Sequence, residues 1–215
     1  MKKLVLLILI LLAPTVVRAE SAPDERPHWS LEFKGGENIP AISGWSKYYD
    51  KRSNSEYGGA LAYKITRWME AGVEGAIIKG NGAGTAQLHN SVSGNVTFES
   101  YPLSVFVLAR GVFSEDQWIV PYVGGGWTRL FYREKVQYQG ISRGFADGYH
   151  ARAGLQLLLD NIDPSAANDF YLEYGVTHTY FFIEAERIKA NAQTVSSGSV
   201  DLGGTSFLGG LLFEF

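Results

Sequence analysis

Ionisable side chains recur at alternate positions along several segments of this chain. Glu32 and Lys34 fall on one face of such a segment, Glu56 and Lys64 on one face of another. Glu70 and Glu74 share a third face, and His150, Arg152 and Gln156 a fourth. A period of two belongs to a β-strand, whose successive residues look in opposite directions. Glu173 falls on the polar face of a further alternating segment. Both signs of charge are present, and charges enclosed at low dielectric need partners. Such a set supports two kinds of chemistry. It can form a salt-bridged plug that fills an interior and fixes strand register, or an ion path gated by pairs that exchange partners. In the plug, loss of Arg152 is expected to be costly.

A second constellation has the residue types of hydrolysis. His178 lies between Thr177 and Thr179, with Glu184 and Glu186 a few positions on, so a base, an orienting acid and a hydroxyl occur close together. His28, His89 and His150 lack a metal-ligand spacing, so no metal site is expected. The run Gly80-Asn81-Gly82-Ala83-Gly84 lacks the Lys-Ser/Thr of a phosphate loop and reads as a hairpin tip. No cofactor is expected.

The elements that must position these residues are strands. Eight candidates run over about 29–37, 56–66, 68–79, 92–113, 117–138, 143–159, 168–188 and 199–215. In the first, Trp29, Leu31, Phe33 and Gly35 oppose Ser30, Glu32 and Lys34. In the sixth, Tyr149, Ala151, Ala153 and Leu155 oppose His150, Arg152, Gly154 and Gln156. In the seventh, Phe170, Leu172 and Tyr174 oppose Tyr171 and Glu173. In the last, Phe207, Gly209, Leu211, Phe213 and Phe215 share one side. Parity is ambiguous over 92–138 and 178–188, where Pro102 or a bulge is a candidate for a switch of face. Connections alternate between long and short, the pattern of a barrel with long external loops and short periplasmic turns. An even number of strands closes the sheet, which hydrocarbon demands of any β structure. Eight strands leave room inside for side chains and little else.

Composition agrees. Aromatics make up 13% of the chain and glycine 25 residues, yet mean hydropathy is only −0.05, as expected when oily residues occupy every second position. Met1-Lys2-Lys3, the apolar run Leu4–Ala13 and Val17-Arg18-Ala19 form a secretory signal peptide, with cleavage expected after Ala19. Residues 20–28 are then a short periplasmic segment, and 29–215 the barrel domain. Three of the 19 basic residues leave with the signal against 22 acidic ones, so the mature chain is acidic and nucleic acid is not an expected partner. With no cysteine, the chain has no disulfide framework and no lipoprotein anchor.

Two motifs carry a family resemblance. Pro121-Tyr122-Val123-Gly124-Gly125-Gly126 is similar to the Pro-Tyr-x-Gly-x-Gly of the small eight-stranded outer-membrane proteins, the OmpA transmembrane domain, OmpW and their relatives. Gly210, Phe213 and Phe215 resemble the signal read by the barrel assembly machinery, although Leu208 stands where that signal carries a polar residue. The resemblance implies an all-β, eight-stranded antiparallel transmembrane up-and-down barrel in the cell outer membrane. It implies a monomer in contact with outer-membrane lipid and lipopolysaccharide, handed to the assembly machinery during insertion. The implied role is structural, with narrow-channel or small hydrophobic-ligand passage as in OmpW relatives, and not enzymatic. Thr177-His178-Thr179 is similar to the His-x-Ser of lipid A deacylases, with Thr179 in the serine's place, which keeps a lipid-modifying enzyme as the alternative. Two further readings follow from the residues. Loops at 38–55 and 189–199, dotted with Trp45, Tyr48 and Tyr49, suit an adhesion or binding surface. A soluble lipocalin-like binder would instead turn Phe207, Leu211 and Phe213 inward.

Overall fold

The computed structural model describes residues 27–49, 51–82, 95–114, 117–137, 140–193 and 199–215; the expected signal peptide and residues 20–26 lie outside them, as does His89. Among these described residues nine strands form: β1 (Trp29–Pro40), β2 (Asn54–Thr66), β3 (Met69–Gly82), β4 (Val96–Arg110), β5 (Ile119–Val136), β6 (Gly140–Leu158), β7 (His178–Gln193), β8 (Ser199–Asp201) and β9 (Gly204–Glu214). Each pairs antiparallel with its neighbour, and β1 pairs with both β2 and β9. β6 pairs with β7, which pairs with β8 at one end and β9 along the rest. β8 and β9 are therefore one strand with a break at Leu202-Gly203. Asp201 Oδ1 spans the break, accepting from Ala190 N at 3.1 Å and Gly203 N at 3.0 Å. The result is a closed eight-stranded barrel with no unpaired edge, as hydrocarbon requires.

The wall is oily outside, and the inside holds buried charges together with apolar clusters such as Val120, Leu158, Phe182 and Leu212. Outward residues are apolar or small over Tyr57–Ile65 on β2, Met69–Ile77 on β3, Tyr101–Ala109 on β4, Ile119–Trp127 on β5 and Tyr149–Leu157 on β6. Each run is nine residues, the length a tilted strand needs to cross a bilayer core, about 9–11. Phe207 and Leu211 are 57% and 40% exposed on the outer wall. A lipocalin-like interior would have enclosed them. Strand β4 keeps strict alternation through Pro102, which points inward opposite Leu130, so the sheet does not switch faces there. The register shift falls instead between Lys64 and Thr66 on β2.

The seventh strand begins ten residues later than its alternation suggests. Residues 164–174 form α2 (Pro164–Tyr174), not strand. Asp163 caps it, its Oδ1 accepting from Ala166 N at 3.0 Å, and Pro164 sits where its missing N–H costs nothing. Gly175 ends it with φ of 73°, a left-handed turn that glycine adopts without strain. Local capping thus outweighs the alternation of Phe170, Leu172 and Tyr174. Asp163→Ala should cost about 1 kcal/mol of helix stability. Hydrogen exchange of the 165–168 amides should report it, with the β7 amides unchanged.

Trp29, Glu214, the turn at Arg67-Trp68 and α2 lie at one end, the periplasmic end in barrels of this kind. At the other end, the short α1 (Trp45–Tyr49) turns into the barrel mouth. Trp45 and Tyr49 are buried there and stack with ring centroids 3.8 Å apart, so they are not part of a displayed loop surface.

Candidate functional site: the charged lumen

Strand parity decides which side chains meet inside. Glu32, Lys34, Glu56, Glu70, Glu74, His150 and Arg152 are all buried in the lumen, and Lys64 lies inside at its periplasmic end. Glu173 does not join them. It is exposed on α2, where a helical period has replaced the strand that would have turned it inward.

Two cations organise the centre. Arg152 Nη1 lies 3.0 Å from Glu32 Oε2, 2.8 Å from Glu74 Oε2 and 3.5 Å from Glu184 Oε2. Its guanidinium sits 4.1 Å above the Phe106 ring, a favourable cation–π distance. Lys34 Nζ contacts Glu74 at 2.9 Å, Glu184 at 3.1 Å and Glu186 at 3.2 Å. Tyr122 donates to Glu184 Oε2 at 2.9 Å. The cluster ties β1, β3, β6 and β7 together across the lumen. Its two cations face four carboxylates, so neither can be spared.

The backbone makes room for these long side chains. Arg152 is flanked across the ladder by Gly124, within the Pro121–Gly126 motif. Lys34 is flanked by Gly58 on one side and Gly210 on the other. A Cβ at Gly210 would stand 2.9 Å from the Phe182 ring and 3.0 Å from Lys34 Cα, and would collide with the Phe33 carbonyl. Gly210 thus has a packing duty in the finished barrel. Phe213 packs against Phe33 on the outer wall, ring centroids 6.4 Å apart, and Phe215 is 39% exposed.

Smaller polar groups extend the network toward both ends. Ser206 donates to Glu56 Oε2 at 2.6 Å and takes a bond from Asn38 at 2.9 Å. Ser104, Thr128 and His150 Nδ1 form a chain of 2.8 Å contacts. Ser30 donates to Glu70 at 3.1 Å. At the periplasmic mouth, Glu214 pairs with both Arg110 and Lys64. These groups border a cavity of about 200 Å³ shared with His178 and Tyr180.

Arg110, Glu184, Glu186 and Glu214 are lumen charges that strand reading alone did not collect. Once the helix is recognised from its Asp163-Pro164 start and Gly175 stop, β7 reads Tyr180, Phe182, Glu184, Glu186 and Ile188 inward, and two of them are found. Glu214 and Arg110 sit at strand ends, where alternation carries least information.

The hydrolytic constellation does not assemble. His178 Nδ1 lies 2.9 Å from Asp160 Oδ2 at the periplasmic end, and Thr177 donates its hydroxyl to the Glu214 carbonyl at 2.9 Å. Glu184 and Glu186 lie inside against Lys34, not beside His178. Among the described residues, no group of three His, Asp or Glu side chains could hold a metal ion. At the opposite mouth Trp45, Tyr49, Phe98, Tyr132 and Glu134 line a cavity of about 350 Å³, with Tyr49 donating to Glu134 at 2.7 Å.

No protein-family model matches the chain, and no curated protein does. Among solved structures it is similar to the outer membrane protein OprG from Pseudomonas aeruginosa, at 10% identity and a TM-score of 0.58 over 88% of this chain and 97% of that one. It is also similar to Neisserial surface protein A, at 11% identity and a TM-score of 0.56 over 87% and 97%. Identities this low speak to fold. Combined with the closed ladder, the nine-residue apolar belt and the enclosed charges, they show the fold of a small eight-stranded transmembrane β-barrel, the fold that these outer-membrane proteins share.

Proposed function

We propose that this outer-membrane barrel is plugged, and serves the envelope as a monomeric structural protein without enzymatic activity. The observation that carries the reading is the Arg152–Lys34 cluster, which joins opposite walls at mid-lumen with both cations fully buried. Gly210, Phe213 and Phe215 would be read by the assembly machinery before Gly210 takes up its place beside Lys34. Refolded protein in a planar bilayer should give no sustained ohmic conductance. Stable open steps from the unmodified barrel would sink the plug.

A second reading is favoured by the aromatic cavity under α1. Its size and lining suit a small hydrophobic ligand held at the outer mouth. Such a ligand would have to leave through the wall if the lumen stays closed. The bilayer recording separates the two routes, because passage through the lumen requires the central cluster to part.

A further inference from the structure

The outer wall of β4–β6 carries a charge arrangement that the lumen does not explain. Beyond the apolar belt on β5 and β6, the first outward charges are Arg129 and Asp147. They neutralise each other through bonds of 2.7 and 2.9 Å, with the guanidinium over Phe145 at 4.9 Å. Next comes an aromatic row, Tyr101, Phe131 and Phe145, in direct register across the three strands. The row above it sets Arg133 of β5 directly opposite Arg143 of β6. Like charges directly opposite on one face of a ladder are destabilising.

Among the described residues one carboxylate meets that pair, Glu99 of β4, which stands directly opposite Arg133 and leaves Arg143 uncompensated. Glu99 approaches Arg133 only to 3.9 Å and already accepts from Tyr101 at 3.1 Å. Arg143 has no ion pair among the described residues, and Lys135 adds a third outward cation two positions along β5. The two arginines and the aromatics together line a surface groove of about 430 Å³, with Tyr101, Phe131 and Phe145 on one part and Arg133 and Arg143 on another. The groove is thus apolar toward the membrane and cationic away from it.

We infer that this groove binds a phosphorylated lipid of the outer leaflet. The phosphate sits between Arg133 and Arg143, within reach of Lys135, and the apolar part rests on Phe131 and Phe145. Guanidinium groups match phosphate geometry through paired charge-assisted bonds, and an anion between them turns a repulsive pair into a clamp. The site lies on the outer wall and is independent of whether the lumen conducts.

The test uses refolded full-length mature protein in dodecyl maltoside micelles. The midpoint of heat unfolding, read from the gel-mobility change of folded barrel, is followed against added bis-phosphorylated lipid A, dephosphorylated lipid A or inorganic phosphate. The phosphorylated lipid should raise the wild-type midpoint, and the other two should not. Arg133→Gln/Arg143→Gln should weaken the apparent affinity by about tenfold or more, the loss expected for charge-assisted bonds to one phosphate. Arg187→Gln, an exposed change on β7, should leave it unchanged. Without lipid the double variant should fold about as well as wild type, since relief of the like-charge pair offsets loss of the long, exposed Arg133–Glu99 contact. If it does not fold, the single Arg143→Gln variant, which breaks no ion pair among the described residues, carries the same comparison. Equal response of variant and wild type, or equal response to the dephosphorylated lipid, overturns the site. A response to inorganic phosphate matching that to the lipid overturns the lipid as its occupant.

Discussion

Replacing Arg152 with alanine should lower the unfolding free energy of the refolded barrel by about 3–5 kcal/mol, the cost of breaking a buried ion pair by removing one partner. The size follows from what is left behind. Glu32 has no other ion pair among the described residues, and its two oxygens take 3.0 and 3.4 Å contacts from the guanidinium. Phe106 also loses the cation above its ring. Urea titration of the folded fraction in lipid vesicles gives the number. Arg152→Lys should recover only part of the loss, because a single ammonium cannot reproduce the fork that reaches Glu32 and Glu74 together. Adding Glu32→Gln to Arg152→Ala should restore stability, since it removes the stranded charge instead of supplying a partner. A cost below about 1 kcal/mol, or no recovery in the double variant, would show that the cluster is not what holds these strands.

The barrel was readable because alternation is a strong signal when one face meets lipid and the other encloses charge. On β1, β2, β3, β6 and β9 the outward and inward sets follow the residue pattern, so Glu32, Lys34, Glu56, Glu70, Glu74, His150 and Arg152 arrive inside on parity alone. The pattern misled at Phe170–Tyr174, where aromatics at alternate positions imitate a strand. The eleven residues Pro164–Tyr174 are bracketed by helix start and stop signals, Asp163-Pro164 and Gly175, and those local bonds decide the outcome. Reading a strand there puts Glu173 in the lumen, whereas the helix leaves it exposed, and it hides the inward parity of Glu184 and Glu186. Trp45 and Tyr49 were misread for a different reason. Nothing local tells a loop residue that folds back into a barrel mouth from one that faces solvent. Pairings among lumen charges were also illegible, because the partners of Lys34 and Arg152 lie on strands far away in sequence. Parity names the members of such a network, and only the closed register says who meets whom.

Lys34→Met should be about as damaging as loss of Arg152, on the order of 3–5 kcal/mol, and for a related reason. Methionine can fill much of the space between Gly58 and Gly210, so the cost isolates charge more than volume. Lys34 is the sole ion-pair partner of Glu186 among the described residues, and the other Glu186 oxygen is buried without a hydrogen-bond partner. Glu74 and Glu184 retain Arg152. The stranded group is therefore Glu186, and Glu186→Gln should rescue Lys34→Met by a coupling of about 0.5–3 kcal/mol. Glu56→Gln should rescue less, since Glu56 is held by Ser206. Lys34→Met and Arg152→Ala should not add, because both cations hold Glu74 and Glu184, and residues sharing partners couple. Strict additivity in denaturant unfolding of the double variant would separate the two cations into independent pairs, and the lumen would then lack a single plug.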